Sequence, residues 1–182
     1  MLCLAYFAAL PLTVCLAASV KRQTAVIMDF GNITSLALNL DSSINAFPTS
    51  GGTSALVASL SLHSQMSSLS TALLGATADA TKNGPFTTTA SQSILAVFQK
   101  FAFIFADAFT GIAVKQPLIT AVPITNLAAL YRQDISVMLE ATKDFEKAIL
   151  NDIPSDLLPT ASPITSSIDA ALATALAAYA SG

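Results

Sequence analysis

From about residue 25 onward, large apolar side chains recur at intervals of three and four, with no sustained alternation. That period belongs to the α-helix, whereas a half-buried strand needs a period of two. Proline and glycine interrupt the pattern at Phe47-Pro48-Thr49-Ser50-Gly51-Gly52, at Asn83-Gly84-Pro85, from Gln116-Pro117 to Pro123, and from Pro154 to Pro163. Glycine costs backbone entropy in a helix and proline lacks the amide hydrogen, so both end helices. Five helical segments remain, at about 25–47, 53–82, 87–114, 124–152 and 162–180. Their short connections favour antiparallel neighbours. The expected fold is an all-α bundle of about five antiparallel amphipathic helices.

The stripes name the expected core. The first segment offers Val26, Phe30, Ile33, Leu36 or Ala37, Leu40, Ile44 and Phe47. The second offers Ala55, Ala58, Leu62, Met66, Leu69, Leu73, Ala76 and Ala80, with serine filling most of its other face. The fourth offers Leu127, Tyr131, Ile135, Met138, Thr142, Phe145 and Ile149, while Arg132, Glu140, Lys143, Asp144, Glu146 and Lys147 mark its wet side. The fifth repeats Ile164, Ile168, Leu172, Leu176 and Tyr179, opened by Ser162-Pro163 as cap and first helical residue. The third differs. Ile94, Phe98, Phe101, Phe105, Ala108 and Ile112 make one stripe, and Ala102, Phe103, Ala106 and Phe109 add a second. A helix apolar nearly all round is largely buried. Thr87, Thr88 and Thr89 offer its N-cap.

Residues 1–19 read as a secretory signal peptide: an uncharged run from Leu2 to Ala18 with small residues at its end. Pro11 interrupts it, and it barely reaches the length of a membrane span. Lys21-Arg22 follow as a dibasic processing site at 20–22, leaving 23–182 as a single domain. Both cysteines, Cys3 and Cys15, lie in the leader, so no disulfide or thiol chemistry is expected beyond it. The chain carries only 10% charged residues against 53% hydrophobic ones, which excludes intrinsic disorder. Its net charge of −3 offers nothing to neutralise phosphates, so no nucleic-acid partner is expected. The run Phe101–Phe109 is too short to span a membrane and contains Asp107, so no transmembrane segment is expected either.

Catalytic patterns are missing. There is no G-x-S-x-G elbow, no metal-ligand spacing and no phosphate loop around Gly51-Gly52. His63 is the one imidazole and reads as an ordinary helix residue among Leu60, Leu62 and Met66. Asp144 and Glu146, two apart on a helix, point to different sides and read as solvated charges, as do Asp152 and Asp156. Asp107 reads as the exposed edge of the phenylalanine-rich helix, beside Gln99 and Lys100. Neither an enzyme, a cofactor nor a metal is expected. Asn32-Ile33-Thr34 is an N-glycosylation sequon, and the abundant Ser and Thr suit O-mannosylation.

What remains is an apolar surplus. Five bundle helices need one stripe each, and the third has two. Around it lie flexible methionines and small alanines, including Ala102, Ala106 and Ala141. Small side chains between long helices either bring backbones close or leave a tunnel, and the sequence permits both. If a tunnel exists, Phe98, Phe101, Phe105, Met66, Leu69, Met138 and Phe145 would line it, with Tyr131 or the serine-rich second helix near a mouth.

The leader with Lys21-Arg22, the opening segment from Val26 through Asp29, Phe30 and Ile33 to Phe47-Pro48, and the tail from Ile164 to Tyr179 form one pattern. It resembles the fungal hydrophobic surface-binding protein A family, which includes the cell-wall galactomannoproteins. The resemblance implies a secreted, cysteine-poor helical bundle of the extracellular space or cell wall. It also implies capture of fatty acids in a central cavity, adsorption to hydrophobic surfaces, or a structural role beside cell-wall polysaccharide. It supplies no catalytic residues.

Overall fold

The computed structural model describes residues 10–50 and 52–180, with side chains described from Gln23 onward except at position 83. The expected signal-peptide residues 1–9 and the side chains of the dibasic pair lie outside the described part. Five helices follow in order: α1 (Leu10–Asn45), α2 (Thr53–Asn83), α3 (Thr88–Thr120), α4 (Leu127–Asp152) and α5 (Leu158–Ala178). They pack against one another as an all-α bundle, and no strand occurs among the described residues.

The stripes become the core. Val26, Phe30, Ile33, Ala37, Leu40, Ile44 and Phe47 of the first segment are all buried, with Ala37 taking the inward position and Leu36 its edge. On α2 the inward set runs from Ala55 to Ala80, but Ser59 is buried where Ala58 was expected. The wet face of α2 is built mostly from uncharged polar side chains, with Asp79 and Lys82 paired near its C-terminal end. Its hydroxyls fold back onto the helix, Ser68 donating to the Ser64 carbonyl, Thr71 to Ser67 and Thr77 to Leu73.

Several boundaries differ from the sequence expectation: α1 already runs from Leu10 rather than from about 25, α4 starts at Leu127 rather than at about 124, and two more ends differ at proline. Helix α3 continues a full turn past Pro117. A proline near a helix end forfeits one backbone bond. Ile119, fully buried, and Thr120, whose hydroxyl donates to the Gln116 carbonyl, hold the extra turn. Helix α5 begins at Leu158, with a proline in its first turn, and Pro163 falls inside it. Proline is pre-shaped for the first turn because the amide it lacks would have no partner there. Buried Ala161 repays the earlier start. The Thr87 hydroxyl accepts from the Ala90 amide and caps α3 as expected.

Successive helices run in opposite directions, as short connections require, yet packing order is not chain order. Residue pairs fix the directions. Phe30 meets Phe98 while Ile44 meets Gly111, so α1 and α3 run the same way. Tyr131 bonds Ser59 and His63 bonds Asp134, so α2 and α4 do likewise. Around the bundle the order is α1, α2, α4, α5, α3 and back to α1. Helices α3 and α4 also touch, weakly, across this ring. The ring is thus a four-helix compartment, α1–α2–α4–α3, with α5 laid over its α3–α4 side. Helix α5 lies close along α3 and stands further off α4.

Helix α3 supplies more buried side chains than any other element whose inward face is described in full, and it is long and apolar enough by composition to cross a membrane. Its second stripe, however, is split. Ala102 and Phe109 are buried, but Phe103 projects outward with 76% of its surface exposed. A helix in a ring keeps one outer face, and Phe103 falls on it with Val114.

Two glycines test the packing. A Cβ on exposed Gly75 meets nothing, whereas one on Gly111 would sit 2.9 Å from Ile44 Cγ2, a branched methyl that cannot swing away. Gly75→Ala is expected to raise urea-unfolding stability by about 1 kcal/mol, the ordinary helix-propensity gain. Gly111→Ala is expected to gain nothing or to lose about 1 kcal/mol, since overpacking offsets propensity. Equal gains at both sites would contradict the α1–α3 contact.

Candidate ligand-binding interior

A ring of helices leaves an axis that only large side chains can fill, because interiors pack nearly as densely as organic crystals. Here phenylalanine fills it. Phe30, Phe98 and Phe145, from three helices, form a triangle with centroids 5.1–6.2 Å apart. Phe101, Phe105 and Phe109 continue the column along α3 at 5.1 and 4.5 Å. Tyr131 of α4 stacks on Tyr179 of α5 at 5.5 Å and closes the far end. Rings at these spacings touch, so no acyl chain fits between them as they stand. Fourteen residues of α4 separate Tyr131 from Phe145, about 21 Å of helix.

All eight residues expected to line a tunnel are buried: Phe98, Phe101, Phe105, Met66, Leu69, Met138, Phe145 and Tyr131. The four phenylalanines belong to the ring column. Met66 also borders a surface groove of about 220 Å³ between α2 and α4, beside Ser70, Leu74 and Val137. Further grooves lie along α3–α5, at the α1–α2 turn and near the α3–α4 connection. Sequence reading missed Phe30, Phe109 and Tyr179 as partners of the column. All three lie on inward stripes, but a stripe does not say which residues of other helices it meets.

The interior holds few polar groups. The Tyr131 hydroxyl donates to the Ser59 carbonyl at 2.9 Å, and burial pushes its pKa up. The hydroxyls of Ser59, Ser91 and Thr142 are buried without a hydrogen-bond partner. Ser/Thr hydroxyls usually bond their own helix when nothing else is near, so unpartnered ones are free to meet a guest.

His63 departs from the ordinary helix residue expected, and Glu146 and Asp152 from the solvated charges expected; Asp152 keeps a buried Oδ2 without a partner, and burial raises its pKa. His63 is paired: its Nδ1 lies 2.7 Å from Asp134 Oδ2 and ties α2 to α4. Burial raises the Asp134 pKa, and the His63 hydrogen bond and charge oppose that rise. Glu146, expected on the wet side, is buried under α5, with Oε1 unpartnered. Helical spacing misplaced it because α5 covers a flank of α4 that would be wet in an isolated helix. Burial first, and Asp169 of α5 second, raise its pKa to about 8, against a smaller opposing pull from Lys143. Asp107 is exposed, as expected. Among the described residues no group of three or more His, Cys, Asp or Glu could hold a metal ion.

Over residues 24–151 the sequence matches the family described as hydrophobic surface binding protein A. The chain belongs to that family. The match ends just before α5. Three solved structures share the fold of this family member. AfMP4p in complex with palmitic acid aligns at a TM-score of 0.78 and 19% identity, covering 87% of this chain and 99% of that one. Ligand binding domain 1 of the Penicillium marneffei MP1 protein, complexed with arachidonic acids, aligns at 0.77 and 13% identity, covering 87% and 99%. Ligand binding domain 2 of the MP1 protein, also with arachidonic acids, aligns at 0.72 and 16% identity, covering 86% and 93%. At these identities the likeness is one of fold. No curated protein matches the chain.

Glu146 gives folding a pH slope of known sign. Its folded pKa of about 8 lies above the ordinary 4.5, so the folded state keeps a proton that the unfolded chain releases. The Glu146 contribution to stability is therefore greatest below pH 4.5, falls as pH rises toward 8, and levels off above it. Glu146→Gln is expected to match the wild type in urea titrations near the acid end of this window. Above the window it should be the more stable by on the order of 2 kcal/mol. A wild type and variant that stay level across the whole range would contradict the burial of this carboxyl.

Proposed function

We propose that this family member is a secreted, non-enzymatic binder of fatty acids or closely similar apolar molecules, held along the axis of the helix ring. The observation that carries the reading is the phenylalanine column. It fills a volume with separate, single-bond-linked rings that can turn aside, in a fold that other proteins share while holding palmitic or arachidonic acid. The acyl tail would replace ring–ring contacts among Phe98, Phe101, Phe105 and Phe145, with Met66, Leu69 and Met138 adapting around it. Burying a long tail contributes roughly 0.8 kcal/mol per methylene before the ordering costs.

The polar end has a place of its own. The buried Ser59 hydroxyl has no partner and lies beside Tyr131. From that level to Phe145, the length of α4 is close to that of an extended sixteen-carbon chain. A carboxyl group at Ser59 would put the tail on the column. The leader-like residues 1–19 and the exposed sequon at Asn32 fit a secretory route ending in the extracellular space or cell wall, with Asn32 free to carry a glycan.

A second reading is adsorption to apolar surfaces. Phe103, Val114, Met28 and Val57 are each more than 65% exposed, an unusual outer display on a chain this poor in charge. One experiment separates the two. Protein secreted by a eukaryotic host is extracted, its lipid identified by mass spectrometry, and the delipidated protein titrated with palmitic acid. Capture predicts recovered fatty acid and uptake near one per chain, saturable and unchanged by Phe103→Ser. No recovered lipid and no uptake, with retention on polyester beads that Phe103→Ser abolishes, would replace capture by adsorption.

A further inference from the structure

The α3–α4 contact is the weak one within the four-helix compartment, and α5 covers it. Helix α5 is held unequally. Along α3 it packs closely, with Tyr179 donating to the Ile112 carbonyl. Toward α4 its grip is thin: the Tyr131–Tyr179 stack at one end and, further along, Glu146 facing Asp169. Both of these carboxyls have a buried oxygen with no hydrogen-bond partner, Glu146 Oε1 and Asp169 Oδ1. A buried polar group without a hydrogen-bond partner costs stability, and a charged one more, so this interface is weakened where the two carboxyls meet. The wider seam therefore coincides with two unsatisfied carboxyls, one of them next in sequence to Phe145 of the column.

Resting on the capture reading above, we propose that α5 is a lid. It swings from its α3 side and opens the α3–α4 flank to let an acyl chain in sideways, with the unsatisfied Glu146–Asp169 pair marking where the seam parts. Sideways passage suits the ligand, because a chain lying along α4 crosses one seam rather than threading the length of the bundle.

The charges around Glu146 are few. Asp169 faces it from α5, and Lys143 lies one turn earlier on α4. The sides of α2 and α3 packed toward α4 carry His63 and otherwise uncharged residues. His63 is engaged with Asp134, three turns from Glu146. Asp79 of α2 acts on Asp29 of α1. Closing the lid thus requires a proton on Glu146, and releasing that proton sets two negative charges against each other under α5.

The test uses the delipidated full chain and cis-parinaric acid, a fluorescent eighteen-carbon fatty acid, in stopped-flow uptake and displacement between pH 6 and 9.5. In the wild type both rates are expected to rise about tenfold per pH unit and to level off above the Glu146 pKa, with the equilibrium constant changing far less. Glu146→Gln, nearly isosteric and permanently uncharged, should exchange slowly at every pH. Asp169→Asn removes the facing charge and should move the wild-type midpoint to lower pH. A flat wild-type profile, or a Glu146→Gln profile that follows the wild type, overturns the lid while leaving capture intact. Absence of uptake by every form, at any pH, overturns capture and the lid together.

Discussion

The structure depends on filling the axis of a helix ring. Five rods in a closed order cannot meet at one line, and the space between them collapses unless side chains reach across it. Phe30, Phe98 and Phe145 meet there from three different helices, and Phe101, Phe105 and Phe109 carry the contact along α3. The rest of the architecture follows. Helix α3 must carry large inward rings because it lines the column from Phe98 to Phe109. Helices on either side can be narrower in their stripes, and their outer faces can be built from serine, threonine and alanine.

That same filling makes the interior exchangeable. A core of branched aliphatics loses many contacts at once when a guest arrives. A column of rings presents flat faces that slide past one another, and the neighbouring methionines are unbranched and adaptable. The few polar atoms inside are left unsatisfied rather than locked into networks: Ser59, Thr142, Glu146 and Asp169 each keep a buried oxygen without a partner. Such groups lower the stability of the empty form and give a polar-ended guest something to bind. Low surface charge belongs to the same economy, since the α2 hydroxyls satisfy themselves on their own helix and need no ion pairs.

Much of this was legible in the chain. The three-four spacing named most of the buried residues, because a stripe on a helix must face something apolar. The prolines misled where proline is tolerated: Pro117 near a C-terminus held by Ile119, and Pro163 inside a helix that had already started. Phe103 and Glu146 misled in opposite directions for one reason. Periodicity gives the direction a side chain points from its own axis, whereas burial also depends on which helix lies next to it. The order α1, α2, α4, α5, α3 is a long-range property with no local signal. Without it neither the outward face holding Phe103 nor the covered flank holding Glu146 can be recognised. The pairing of His63 with Asp134 was hidden by the same gap, since the two are 71 residues apart.

The claim at the centre is that an acyl chain takes the place of ring–ring contacts inside the bundle. Aromatic NMR of delipidated protein labelled at phenylalanine, titrated with palmitic acid, reports on this directly. The account predicts large shift changes for Phe30, Phe98, Phe101, Phe105 and Phe145, saturating together, with exposed Phe103 unmoved. Changes confined to Phe103, with the inner rings undisturbed at saturation, would contradict it.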